Sequence, residues 1–163
     1  MFTMNIALAH FATELVGTPE QSVADAEASC VALWRLVDAS VRRWVPMALE
    51  DAGHAKDAAE LRGLPVVTAE TSRKARNALK RFLEDLSSAP AGFMAAAEHA
   101  VLAIEKACEM EKARRDKKLS SAYVVAVLSQ AATQAARCAN RSGEAGRAEA
   151  RKLVADLTAG FKG

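Results

Sequence analysis

The sequence predicts an all-α chain, a single-domain bundle of six to seven helices, and three observations carry that expectation. Alanine fills 37 of the 163 positions, and alanine has the best helix propensity because it loses no side-chain entropy. The four prolines and eight glycines fall almost entirely between segments of helical periodicity. No strand candidate is longer than Pro65-Val66-Val67-Thr68, too short to found a sheet. A chain of this length suits one core.

The first expected helix spans residues 4–16, with Thr3 or Asn5 near its cap, an apolar face of Ile6, Leu8, Phe11 and Leu15, and Gly17 just past its end. The second spans 18–53 and is the longest. Thr18 suits the N-cap, Pro19 the first helical position, and Gln21 can close a capping box. Val23, Ala26, Cys30, Leu33, Val37, Val41, Trp44 and Ala48 follow in steps of three and four. They mark one helical face over roughly 50 Å. Pro46 lacks the amide that would bond to Arg42 and biases Val45 away from helix, so a kink or a fresh start is expected there. The Gly17-Thr18-Pro19 corner should fold the first helix antiparallel to the second.

A short helix over 54–62 should end at Gly63, with Pro65 as a stop. Thr68 is placed to cap a fourth helix through Leu86, with Ala75, Leu79, Phe82, Leu83 and Leu86 inward. A fifth, 90–118, buries Met94, Ala97, Val101, Ile104 and Cys108. Its last part, EMEKARRDKK, reads as a charged extension into solvent. Ser120 or Ser121 caps a sixth helix ending near Asn140. That helix carries no charge from Leu119 to Ala136 but contains Ser129, Gln130, Thr133 and Gln134. It should be the most enclosed helix, its polar groups partnered by neighbours. A last helix, 143–159, sets Leu153, Val154 and Leu157 against Arg147, Arg151 and Lys152.

Composition restricts function more than it selects one. Three cysteines, Cys30, Cys108 and Cys138, lie inside helical patterns without a C-x-x-C pair, and residues 1–16 lack the charged start of a secretory signal. Reduced thiols and a cytoplasmic protein are expected. No stretch is long and apolar enough for a membrane span. The net charge of +2 conceals a polarity, with the first 68 residues acidic and the remainder basic. The two halves therefore face either each other or different partners.

The sharpest polar cluster is Glu50, His54 and Asp57, whose spacing would share one face of a continuous helix and could hold a divalent metal. Gly53 interrupts it, and a solvated helix junction is the competing reading. A bundle of this length with three histidines is similar to the metal-binding DinB-like enzymes, but the paired His-x-x-x-His of that family is missing. The Glu-x-x-His motifs of ferritin-like di-iron bundles are missing as well. No phosphate loop, nucleophile elbow or zinc spacing occurs, and no cofactor is expected.

Basic residues cluster at Arg73, Lys74, Arg76, Lys80 and Arg81, and again at 112–118 and 137–152. Phosphates could use them. However, Lys80–Glu84 and Arg81–Asp85 are ready i,i+4 partners, and the single tyrosine offers little for base stacking. The fourth helix also places bases in its first turn and acids in its last, against the helix dipole. A packed neighbour or a partner of complementary charge would offset that.

The order of a Leu33-Trp34-Arg35-Leu36 helix followed by AAAEHAVLAIEKA and SQAATQAARCA resembles the all-helical immunity proteins of bacterial polymorphic-toxin systems. The resemblance implies a cytoplasmic protein that blocks a toxin without catalysis of its own. The leading expectation is therefore a non-catalytic bundle that binds another protein, through Arg73, Lys74, Arg76, Lys80 and Arg81, with homo-oligomerisation open. The alternatives are a metal-dependent enzyme at Glu50, His54 and Asp57, and nucleic-acid binding by the basic half.

Overall fold

A computed structural model describes residues 23–86, 91–116 and 121–162. The expected helix over 4–16 and the Thr18 cap lie outside them. Every regular element among the described residues is helical, as the alanine content and periodicity predict. The helices are α1 (Val23–Ala39), α2 (Val45–Asp51), α3 (Ala55–Arg62), α4 (Ser72–Asp85), α5 (Ala91–Arg115), α6 (Ser121–Asn140) and α7 (Gly143–Lys162). A π-helical turn, Ser40–Trp44, joins α1 to α2.

Cys30, Leu33, Val37, Val41 and Trp44 are all buried, so the predicted face is the one that packs. Pro46 lies in the first turn of α2, and the backbone leading into it does not leave the helix. Ala39, Trp44 and Val45 stay in the right-handed helical region. Instead the ladder widens just before the proline, where the Val45 N–H bonds to the Ser40 carbonyl five residues back. A residue with no N–H is accommodated where the hydrogen-bond register is already shifting. The kink expected at Pro46 remains an expectation; the π turn is what the backbone shows.

α2 ends in a Schellman motif. The His54 N–H donates to the Leu49 carbonyl and the Gly53 N–H to the Glu50 carbonyl, each at 2.9 Å. Gly53 takes φ +86°, the left-handed conformation the motif requires and glycine adopts without steric cost. α3 then starts in a new direction and seats Ala58 and Leu61 in the core.

Thr68 is not the cap of α4. It sits one turn upstream and exchanges hydrogen bonds with Thr71. The Thr71 hydroxyl accepts the Thr68 N–H at 2.8 Å, and the Thr68 hydroxyl accepts the Thr71 N–H at 3.3 Å. This local bonding gives the backbone a turn in place of the first helical residues, and the helix begins at Ser72. Of its expected inward face, Ala75, Leu79 and Phe82 are buried, whereas Leu83 and Leu86 are half-buried.

α5 and α6 form the most extensive helix pair. Alanines are buried along both: Ala96, Ala97, Ala100, Ala103 and Ala107 on one, Ala131, Ala132, Ala135, Ala136 and Ala139 on the other. α6 also packs on α1, the π turn and α7. Of its polar side chains, Gln134 finds a partner on a neighbour as expected, Thr133 bonds within its own helix and Gln130 is exposed. Gln134 Oε1 lies 2.9 Å from His99 Nδ1 of α5, and the Thr133 hydroxyl donates to the Ser129 carbonyl. Its first two turns leave Ala122, Tyr123 and Ala126 exposed. The end of α5 is no solvated extension, because Met110 and Ala113 are buried beyond Cys108. Leu153, Val154 and Leu157 of α7 close the core as predicted.

Trp44 is fully buried, and its indole N–H has no acceptor among the described residues. Its contribution is therefore volume rather than hydrogen bonding. Trp44→Ala is expected to cost about 3–5 kcal/mol. Trp44→Phe, which discards the unpaired N–H with little volume, is expected to cost under about 1.5 kcal/mol. Urea midpoints of the two variants separate these outcomes, and equal losses would assign the indole N–H a bonding role.

Candidate functional site

The Schellman turn dismantles the cluster of Glu50, His54 and Asp57. Glu50, on α2, takes the Arg62 guanidinium at the end of α3. That hydrogen bond holds its carboxyl below the usual carboxylate range. His54 turns instead to Asp57, with Nδ1 and Oδ2 3.6 Å apart. Among the described residues no three His, Cys, Asp or Glu side chains converge as a metal-ligand set. The i,i+4 step that placed the three on one face assumed a helix that ends before His54.

The basic row of α4 is also divided. Arg76 donates to Glu105 of α5 at 3.0 Å, and Lys80 stands 4.0 Å from the same carboxylate. Arg81 pairs with Glu60 of α3 and lies 5.2 Å over the Phe82 ring. These cross-helix acids replace the expected partners Glu84 and Asp85. Arg73 and Lys74 are exposed, and neither has an ion pair among those of the described residues.

A cleft of about 470 Å³ lies between α1, the segment 66–70, the end of α5 and Leu153 of α7. Two side chains build its floor. Trp34 is half-buried, and its indole N–H donates to Glu111 Oε1 at 3.0 Å; Arg114 binds the same carboxylate at 3.3 Å. Asp38 accepts the Val67 N–H at 2.9 Å and pairs with Arg42 at 3.1 Å. Asp38 thus fastens the segment after Pro65 to α1 and seats Val67 in the core, where it is 1 % exposed.

The lining chemistry is apolar and cationic. Val31 of α1 is 61 % exposed and Val66 is 58 % exposed, and both line this cleft. Arg35, Arg43 and Arg115 stand around it. Arg43 is engaged by Glu149 at 3.2 Å, whereas Arg35 and Arg115 have no ion pair among those of the described residues. Sequence reasoning missed this place. Its one legible signal was Trp34, a tryptophan beside Leu33 rather than on the periodic stripe.

The thiols are packing groups. Cys30 reaches Met110 Sδ at 3.6 Å beneath the cleft. Burial pushes the Cys138 thiol up to about 12, so it stays protonated at neutral pH. Cys108 is half-buried and donates to the Ser72 hydroxyl at 3.3 Å. Beside these, Asp38 and Glu111 are already bonded. The cleft offers shape, two apolar side chains and guanidinium groups, the equipment of a binding surface.

No family model, curated protein or solved structure matches this chain.

Asp38→Ala should release the segment 66–70 from α1. A hydrogen bond to a charged acceptor is worth about 2 kcal/mol, so the Val67 amide is expected to exchange with solvent more than tenfold faster. Unchanged exchange at Val67 would place the tether elsewhere.

Proposed function

We propose that this protein works by binding another protein, and that the binding surface is the cleft between α1 and the segment 66–70. The observation that supports it most is the pairing of Val31 and Val66, two exposed large hydrophobic side chains lining one concavity. Arginines stand at its rim. Concave sites lined by apolar groups with a few placed polar ones are where ligands are held, and arginine is enriched in protein interfaces. A segment presenting an apolar side chain flanked by carboxylates would suit this lining. The reading moves the partner surface away from α4, where Arg76, Lys80 and Arg81 are already engaged. Only Arg73 and Lys74 stay available there, and they adjoin the cleft through Glu70, which lines both concavities. Under the resemblance to immunity-type bundles the partner would be a toxin; that assignment has the resemblance alone behind it.

The test compares two double variants of the full chain, each recovered with its partner from the source cell. Val31→Asp with Val66→Asp should lower partner recovery by at least about tenfold, which is 1.4 kcal/mol. Folding stability should stay within about 0.5 kcal/mol, as expected at exposed positions. Arg73→Glu with Lys74→Glu should leave recovery nearly intact. The reverse pattern would move the interface to α4.

A further inference from the structure

We propose that the cleft between α1 and the segment 66–70 is also a small-molecule site, and that it takes a free apolar monocarboxylate such as a medium-chain acyl acid. The same place is offered to a protein partner above, so a bound acid would compete with that partner. Binding of the acid does not itself rest on that reading.

The walls suit an apolar tail. The cleft encloses about 470 Å³, inside the range of roughly 300–1,000 Å³ usual for small-ligand sites. Val31 and Val66 present exposed side chains to it, and Trp34 stands between α1 and the end of α5. The Trp34 indole N–H is bonded to Glu111 and the Asp38 carboxylate to the Val67 N–H. A tail laid beside these groups therefore leaves neither without its partner.

Charge selects the head. Among the described residues the lining carries four arginines against three carboxylates. The pairs that lead out of the cleft, Asp38–Arg42 and Arg43–Glu149, add one charge of each sign, so the excess stays at one. Arg114 is held by Glu111, whereas Arg35 and Arg115 have no ion pair among those of the described residues. These two belong to the ends of one contact. Arg35 follows Trp34 on α1, Arg115 stands one turn past Glu111 on α5, and Trp34 is bonded to Glu111 at 3.0 Å. A single carboxylate balances the excess and matches the planar fork of a guanidinium. A dianionic head would exceed it, and an amine would be repelled. Val31 lies one turn before Arg35 on the same face of α1, which sets the tail alongside the head. The two concavities along α4 are also basic, but neither has an aromatic side chain or an exposed valine in its described lining. They serve as the control for general attraction of anions.

The test is a titration of the purified full chain, followed by amide and indole N–H resonances, with octanoate, octan-1-ol, octylamine and acetate as probes. Octanoate should shift the Trp34 indole signal and the amides of 31–38 and 66–70, and leave the buried Trp44 indole in place. Octanol, octylamine and acetate should each bind at least about tenfold more weakly, the effect of one hydrogen bond to a charged group. Arg35→Gln with Arg115→Gln should bring octanoate down to the affinity of octanol and leave octanol unchanged. Octanol binding as tightly as octanoate would overturn the proposal, as would acetate matching octanoate or shifts centred on 73–81. N-acetylleucine binding more tightly than octanoate would overturn the assignment to a free acid in favour of a polypeptide end. The titration contains no partner and the partner comparison no added acid, so the two readings fail separately.

Discussion

Close approach of α5 and α6 is the constraint on which the rest of the bundle depends. Buried alanines line both helices of this most extensive pair, and small side chains permit axes toward the near end of the usual 8–10 Å range. Each alanine buries little area, so the pairing draws on many weak dispersion contacts and tolerates no insertion of volume. Of the largest fully buried side chains, Phe93 and Ile104 belong to α5 itself and the others come from the surrounding elements. Leu33, Leu36 and Trp44 come from α1 and the π turn, Leu61 from α3 and Leu79 from α4, and these elements pack around the alanine-lined pair. α1 spends one face on that packing, which leaves Val31 and part of Trp34 turned outward. When Asp38 draws Val67 onto the same helix, a cleft results.

Electrostatics specify how the shorter helices sit more than they stabilise the fold. Surface pairs are worth about 0–1 kcal/mol each, yet the ones formed here join different elements. Glu50–Arg62 ties α2 to α3, Glu60–Arg81 ties α3 to α4, and Glu105 takes Arg76 from α4. The charge polarity between the two parts of the sequence is thus partly used internally, as Glu60–Arg81 and Arg43–Glu149 cross between them in opposite senses.

The fold class and most helix bounds were legible because periodicity and punctuation agree in this chain. Gly63 ends α3 and Asn140 ends α6 as read. What escaped were places where a tertiary partner competes with a local rule. Thr68 and Thr71 make the reciprocal side-chain bonds of a capping box, but these close a turn and the helix begins only at Ser72. EMEKARRDKK looks solvated until Met110 is placed against Cys30 and Glu111 against Trp34. Glu50, His54 and Asp57 share a face only on a helix that Gly53 ends. The candidate site was nearly invisible, since α1, the segment 66–70 and the end of α5 lie far apart along the chain. A valine at position 31 looks the same in a sequence whether it faces the core or water.

Amide hydrogen exchange across the full chain, alone and in the complex recovered from its source cell, tests the assignment of the binding surface most directly. Protection on complex formation is expected along 31–38 and at 66–70. Protection confined to 73–81, with the cleft residues exchanging as before, would contradict it.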